Sequence, residues 1–310
     1  MEATAHRPVL LREALAALAV RPGGFWVDGT VGAGGHAEAI LRATSPDGRL
    51  LACDRDAESL RAARARLAPF GERAVLRHSD YRRLPDLLDE VGSPAVAGIL
   101  LDLGISSLQL DDPERGFSFQ KDGPLDMRID RTQPATAADL VNSLAEGRLA
   151  AILKEYGEEK AAGRIARVVA RERAKAPITS TRRLAEIVAE AAPARGPSRI
   201  HPATRTFQAL RLAVNDELAE LDGGLASALE VLAPGGRLAV LSYHSGEDRR
   251  VKEFLLRESR GCICPPQLPV CGCGRKPRMR LLGRGRGPSA AEARRNPRAR
   301  SARLRGGVRC

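Results

Sequence analysis

The sequence contains no apolar run long enough to cross a membrane and no recognisable targeting segment. Its longest apolar runs, such as the one within residues 95–103, fall far short of the roughly 20 residues that span a bilayer. The N-terminus lacks the charged and then apolar pattern of a secretory signal. Hydrophobic residues still make up 43% of the 310 positions, enough for a globular core. We therefore expect a soluble, cytoplasmic protein with no membrane partner.

Most of the chain also lacks net charge. The sequence has 50 Lys and Arg against 38 Asp and Glu, but residues 275–310 hold thirteen of the bases and a single acid. This basic tail contains no aromatic residue, so it favours electrostatic contact with a phosphate backbone and offers no base stacking. A merely solvated charge run is the alternative. Alternating apolar residues at 279–281 and 302–304 predict edge strands within the tail.

Cysteine is scarce, but four of the six cysteines cluster in a proline-rich, loop-like stretch, at Cys262, Cys264, Cys271 and Cys273. In a reducing cytosol, clustered thiols indicate a metal more often than disulfides. Paired zinc ligands are usually separated by two to four residues, however, so the C-x-C spacing is an imperfect match. A zinc site and an unmetallated loop both remain open, and the sequence alone assigns no metal ligand.

The strongest positive signal is an apolar run at 25–28 followed by glycines at 29, 32, 34 and 35. A strand that enters a glycine-rich turn and then a helix can receive a nucleotide-like ligand. The spacing is not the G-x-G-x-x-G of dinucleotide sites, which favours a ligand without phosphates, such as S-adenosylmethionine. Asp54 ends the next strand pattern, nineteen residues past Gly35, where a carboxylate would accept from ribose hydroxyls. A tight turn without a ligand is the alternative.

The first hundred residues alternate between strand and helix patterns, as in a parallel sheet. Strand patterns fall at 25–28, 49–54, 74–78 and 97–103, with helical patterns at 33–43, 56–68 and 82–91. The last core strand is expected at 237–243. The long interval before it shows no strand pattern, which predicts a helical insertion.

Within the insertion, three helical signals stand out. Thr136 and Asp139 resemble a capping box, residues 158–175 are amphipathic, and Ser180 is placed to begin a helix. Residues 203–232 are predicted to form two helices that return to the core.

In open parallel sheets, ligands bind beyond the carboxyl ends of the strands. The residues expected there are Asp28, Asp54, Asp80 with Tyr81, Asp102 and the run 242–245. Asp102 ends an apolar strand, which places its carboxylate where donor and acceptor should meet. His244 could serve as a general base, although a lone histidine is more often structural. Asp80 could equally be a helix N-cap.

Six motifs in order resemble those of the bacterial 16S ribosomal RNA cytosine-N4 methyltransferases, over a match from His6 to about Arg303. They occupy residues 28–36, 100–107, 109–119, 123–128, 201–211 and 242–249. The resemblance implies an α/β fold: a Rossmann-like class I methyltransferase core, with a largely parallel sheet and an all-helical domain inserted between strands 4 and 5. The core would comprise residues 1–108 and 203–310, including the basic tail 275–310, and the insertion residues 109–202.

The implied reaction moves a methyl group from S-adenosylmethionine to the exocyclic N4 amine of one cytosine in the decoding region of 16S ribosomal RNA, within the small ribosomal subunit. Cofactor contacts would fall on Gly34, Gly35, His36, Asp54, Tyr81, Asp102 and Gln109. The catalytic candidates are Asp102, Tyr243 and His244.

The residues themselves predict the substrate contacts: Phe117 and Phe119 offer a face for a flipped base, and Arg205 and Arg211 lie on a helix that also carries Phe207. Amino-group methyltransferases commonly follow the strand-end acid or Asn with two prolines and an aromatic residue, whereas this chain has Leu103-Gly104-Ile105 after Asp102. The residue that stacks on the target base is therefore open among Phe117, Phe119 and Tyr243. An RNA-binding assembly factor without activity is a rival interpretation, and a nicotinamide oxidoreductase is a weaker one because of the glycine spacing.

Overall fold

The computed structural model of the protein describes residues 8–192, 201–262, 264, 265, 270 and 272–310. The chain divides into two compact units, one formed by residues 1–104 with 219–310 and the other by residues 105–218. The second unit contains the predicted insertion, 109–202, and also takes in residues 105–108 and 203–218, which the prediction assigned to the core. Within the described ranges, no helix is both long and apolar enough to cross a membrane.

The described residues of the first unit form seven strands. They are β1 (Phe25–Asp28), β2 (Arg49–Asp54), β3 (Ala74–His78), β4 (Val96–Asp102), β5 (Leu232–Ser242), β6 (Met279–Leu281) and β7 (Arg303–Arg309). They form one sheet in the order β3-β2-β1-β4-β5-β7-β6, in which β1 to β5 pair in parallel and β7 is antiparallel to both of its neighbours. The predicted parallel α/β sheet is confirmed.

The strand order reverses between β1 and β4, which defines the ligand-binding edge of the sheet. The chain runs outward from β1 to β3 and then crosses back to β4 on the other side of β1. Ligands bind at such a switch point, beyond the carboxyl ends of the strands. One detail of the prediction was wrong: of the two strands predicted in the tail, only β6 lies at an edge of the sheet, because β7 pairs with both β5 and β6.

The helices follow the sequence patterns closely. They are α1 (Leu11–Leu18), α2 (Gly35–Ala43), α3 (Ala57–Leu67), α4 (Leu84–Asp89), α5 (Ser107–Asp111), α6 (Ala137–Ser143), α7 (Glu146–Gly157), α8 (Ala162–Arg173), α9 (Thr181–Ala191), α10 (Thr204–Asn215), α11 (Glu217–Val231), α12 (Ser245–Ser259) and α13 (Ala290–Arg295).

Successive strand residues in the first unit bury their side chains on opposite faces of the sheet. Val27 and Leu51 belong to a core shared with α4, α11 and α12. Trp26 and Leu50 belong to a second core shared with α1, α2 and α3. Both faces are therefore covered, which explains why the central strands are almost continuously apolar.

The second unit is helical and has a core of its own. Thr136 with Asp139 forms the predicted capping box of α6, and Ser180 caps α9 as predicted. The helix predicted from residue 158 begins only at Ala162, because Glu158 has a left-handed backbone (φ 48°) that ends α7.

The helix α10 belongs to this second core because its apolar side is buried there, including Phe207 and Leu210. It also approaches α7 closely. A Cβ on Gly157 would lie 2.6 Å from the backbone oxygen of Arg205, so only glycine permits this contact.

Candidate active site

The glycine-rich turn between β1 and α2 has one side that the described residues leave open. Among these residues, a Cβ added at Gly32 would meet nothing within 4 Å, and the backbone there is left-handed (φ 50°). A Cβ on Gly35 would instead lie 2.5 Å from Cγ of Pro8. Gly34 caps α2 with φ 82°. Packing against Pro8 therefore explains why residue 35 is a glycine. At Gly32 the described residues leave space that a ligand can occupy.

Three carboxylates lie at the carboxyl ends of neighbouring strands, on Asp28, Asp54 and Asp102. Asp28 is 1% exposed, and burial, together with the charges of the other two acids, raises its pKa to about 8. Its Oδ1 accepts a hydrogen bond from the amide of Thr30 (3.2 Å), whereas its buried Oδ2 receives none from the described residues. The cluster therefore favours either a bound proton or a cationic ligand.

Asp54 is held by the turn that it faces. Its Oδ2 accepts from the amide of Gly32 (2.8 Å) and its Oδ1 from the amide of Asp56 (2.9 Å). Burial raises the pKa of Asp54 to about 6 even though both hydrogen bonds oppose this shift. Each oxygen keeps a second lone pair, so the side chain can still accept from a ligand hydroxyl.

Asp102 is fixed by groups from three segments. The hydroxyl of Tyr243 donates to its Oδ1 (2.7 Å), and Nδ1 of His36 lies 3.4 Å from its Oδ2. Its amide donates to Oγ1 of Thr30 (2.6 Å). Burial and the adjacent carboxylate raise the pKa of Tyr243 far above its usual range, so the phenol remains a donor. The other nitrogen of His36 lies 3.0 Å from the carbonyl oxygen of Val9, which fixes the ring.

His244, predicted to be catalytic, caps α12. Its Nδ1 accepts from the amide of Glu247 (3.4 Å), and its Nε2 lies 3.0 Å from Oε1 of the same residue. The other oxygen of Glu247 accepts from the amide of Tyr243 (2.8 Å). This geometry accounts for His244 as a structural residue at the start of α12, and its catalytic role stays a prediction.

Tyr81, predicted to face adenine, is 6% exposed and packs on α11. A Cβ on Gly224 would lie 2.0 Å from Cδ2 of its ring. Asp80 caps the short 3-10 helix that begins at Tyr81 (Tyr81–Arg83). Partial burial opposes the shift, but hydrogen bonds from Arg82 lower the pKa of Asp80. The contact of Tyr81 with adenine stays a prediction.

The predicted aromatic contacts and Gln109 lie in the second unit. Phe117 is buried, whereas Phe119 is half-buried against the exposed ring of His201 (centroids 4.7 Å apart) and against Phe207 (4.8 Å). Gln109 completes the capping box of α5.

The two predicted substrate arginines differ in their exposure and in their hydrogen bonds. Arg211 donates twice to the carboxylate of Glu217, at 2.8 and 2.9 Å, and is half-buried. Arg205 is exposed and donates to the carbonyl oxygen of Glu158 (3.3 Å). Arg205 is the better placed of the two to meet a phosphate.

Sequence reasoning missed Thr30 and Glu247. Thr30 links the first acid to Asp102, and Glu247 organises the start of α12. The role of Glu247 could have been predicted from the sequence, because a glutamate three residues after an N-cap residue has the spacing of a capping box.

The model of the MraW methylase family matches residues 3–308. This chain belongs to the MraW methylase family. Three curated relatives are each named ribosomal RNA small subunit methyltransferase H. That of Symbiobacterium thermophilum is 53% identical over 302 residues, which cover 97% of this chain and 95% of the relative. Those of Syntrophotalea carbinolica and Geobacter sulfurreducens are 55% and 54% identical, covering 97% of this chain and 96% and 97% of the relatives.

The methyl donor of this methylase is S-adenosylmethionine, and the site's chemistry suits it. The donor has a sulfonium cation, an ammonium group and a ribose diol. The carboxylates of Asp28, Asp54 and Asp102 favour the positive charges, and Asp54 ends β2 beside the open side of the turn at Gly32. Asp54 would accept from the ribose hydroxyls, and the acid cluster would stabilise the cation.

We expect the methylase's preference for the sulfonium donor over its neutral thioether product to increase about tenfold between pH 5 and pH 8. Cation binding favours ionised carboxylates, and Asp54 and Asp28 lose their protons near pH 6 and pH 8. Calorimetric titration of both ligands across this range measures the ratio of affinities. Asp54→Asn should flatten the lower part of the profile. A ratio that is independent of pH in the wild type would contradict the electrostatic assignment.

Proposed function

We propose that this methylase transfers the methyl group of S-adenosylmethionine to the exocyclic N4 amine of one cytosine in the decoding region of 16S ribosomal RNA. The observation that carries the proposal is the carboxylate of Asp102, held at the end of β4 by Tyr243 and His36. The three relatives, which are named as methyltransferases of small-subunit ribosomal RNA, support that RNA as the substrate.

The amine chemistry explains why a fixed acceptor is useful. The N4 lone pair of cytosine is delocalised into the ring, so the amine is a weak nucleophile while its nitrogen remains planar. A carboxylate that accepts from an N–H bond favours the tetrahedral nitrogen and the positive charge that develops during transfer. Asp102 would serve as this acceptor. Because Tyr243 and His36 already orient it, little reorganisation would be needed.

Recognition of the RNA is assigned to the second unit and to the basic tail. Phe119 and His201 form an aromatic pair with an exposed face, and Arg205 is exposed on α10. Such a surface suits unpaired bases and phosphates. The candidates for stacking on the target cytosine are Phe117, Phe119 and Tyr243.

The deciding experiment is transfer of tritiated methyl groups to small ribosomal subunits that lack the modification, followed by nucleoside analysis of the RNA. We expect the label in N4-methylcytidine at one position of 16S ribosomal RNA. Free 16S RNA, tested in parallel, identifies whether the assembled subunit is required. Label in 5-methylcytidine or in a 2′-O-methyl nucleoside would contradict the proposed target atom.

A thermal-shift titration with S-adenosylmethionine separates this function from that of an inert assembly factor. A methylase is stabilised by its donor in proportion to the donor concentration above Kd. Stabilisation together with site-specific labelling supports the proposal, whereas RNA binding with neither supports the assembly factor.

A further inference from the structure

Three cysteine thiols come together in the segment between α12 and β6. The Sγ atoms of Cys262, Cys264 and Cys273 all lie within 4.8 Å of one another. Cys264 is half-buried and the other two are exposed, so an ion can reach them from solution. Cys271, the fourth cysteine of the predicted cluster, lies outside the described residues.

The sulfur spacing fits coordination by a small tetrahedral ion. Zinc binds thiolates at about 2.3 Å, which sets the edge of a regular tetrahedron of sulfurs at about 3.8 Å. The Sγ atoms of Cys262 and Cys273 are 3.9 Å apart. The amide of Cys264 also donates to Sγ of Cys262 (3.4 Å), a contact that stabilises negative charge on sulfur.

A disulfide fits these distances poorly. Its two sulfurs lie about 2.05 Å apart, well short of the separation between Cys262 and Cys273, and one disulfide would leave the third thiol without a role. In the sequence, the C-x-C spacing argued against zinc because paired zinc ligands are usually separated by two to four residues. The fold offsets that weakness because Cys273, eleven residues beyond Cys262, supplies the third sulfur.

The ends of the segment are fastened independently of the thiols. Glu258 is 5% exposed near the end of α12, and its Oε2 accepts from Arg275 (3.1 Å). The backbone oxygen of Glu258 accepts from the amide of Arg278 (2.8 Å). These bonds bring the two ends of the segment together, so the loss of conformational entropy on metal binding is reduced.

We propose that Cys262, Cys264 and Cys273 bind a structural zinc ion that closes the segment between α12 and β6. Each thiol releases its proton to solvent when it binds, and no electron is transferred. Soft thiolates in tetrahedral geometry select zinc over magnesium or calcium.

The test uses the full chain, purified under reducing conditions without added chelator. Elemental analysis should find about one zinc per chain, and X-ray absorption should find at least three sulfurs at about 2.3 Å from the metal. Cys262→Ser and Cys273→Ser should each lower the zinc content at least tenfold. The matched control is Cys310→Ser, which changes an exposed cysteine outside the cluster and should leave zinc unchanged.

A second measurement holds even if the serine variants fail to fold. Zinc is removed from the wild type with a chelator, and zinc alone is titrated back against a chromogenic competitor. We expect a Kd below about 0.1 μM and recovery of the Tm lost on chelation. Weaker binding, iron in place of zinc, a first shell of nitrogen and oxygen, or thiols oxidised in the freshly purified protein would each overturn the proposal.

Discussion

Asp102→Asn should lower kcat for methyl transfer by about 10²–10³-fold, with donor saturating and the protein folded. The substitution keeps the shape of the side chain but removes the negative charge that Tyr243 and His36 hold in place. The amide would also present an N–H group where the transfer needs an acceptor. Single-turnover labelling of the RNA at saturating donor measures the step directly.

Two further variants serve as a control and a comparison for Asp102→Asn. Asp80→Asn makes the same chemical change at the end of β3, where the carboxylate caps a short helix, and kcat should stay within about threefold. Tyr243→Phe removes one hydrogen bond to Asp102 and should lower kcat by about tenfold, with little change in donor affinity. If the rate of Asp102→Asn is low only at subsaturating donor and its kcat equals that of the wild type, Asp102 serves donor binding alone.

The fold could be predicted well wherever local pattern and tertiary burial agree. The apolar strand patterns ended in acids, and the structure places β1, β2 and β4 within a residue of the predicted bounds. The predicted start of α9 at Ser180 also holds, because a side-chain cap is a local interaction. The interior position of β7 was missed, since strand order depends on pairing between segments distant in the chain.

The sequence predicted which residues lie at the candidate site better than it predicted what each of them does there. The strand-end acids follow from the α/β pattern, because the topology brings these ends together. The capping role of His244 and the packing of Tyr81 on Gly224 depend on helices that arrive from elsewhere in the sequence. Gly35 shows the same limit: its lack of a side chain makes room for Pro8, which no local pattern reveals.

The basic tail should supply electrostatic affinity for RNA and little sequence specificity. Part of it is folded: Arg294 and Arg295 end α13, and Arg300 lies in the short 3-10 helix that follows (Pro297–Ser301). All three side chains are exposed, whereas Ala299 beside them is buried in the core of the first unit. A folded surface of this kind holds its charges at fixed positions and can contact phosphates without ordering a disordered chain.

Changing Arg294, Arg295 and Arg300 together to Gln should reduce the slope of log affinity against log salt by about 2 to 3 units on 16S ribosomal RNA. Each arginine that neutralises a phosphate releases condensed counterions, so the loss in slope counts the contacts removed. Filter binding or fluorescence anisotropy across a salt series measures the slope, and nucleoside analysis should find the methylated position unchanged.

The matched control changes Arg61, Arg64 and Arg83 to Gln. It removes the same charge from exposed positions near β3, at the opposite edge of the sheet from β6 and β7. Its salt slope should match that of the wild type, because a contact acts only where a phosphate lies. Equal reductions in both triple variants would attribute the effect to net charge, and no reduction in either would make the basic tail a solvated face. Point changes are preferable to truncation, since removal of β7 would expose the edge of β5 and mimic a binding defect.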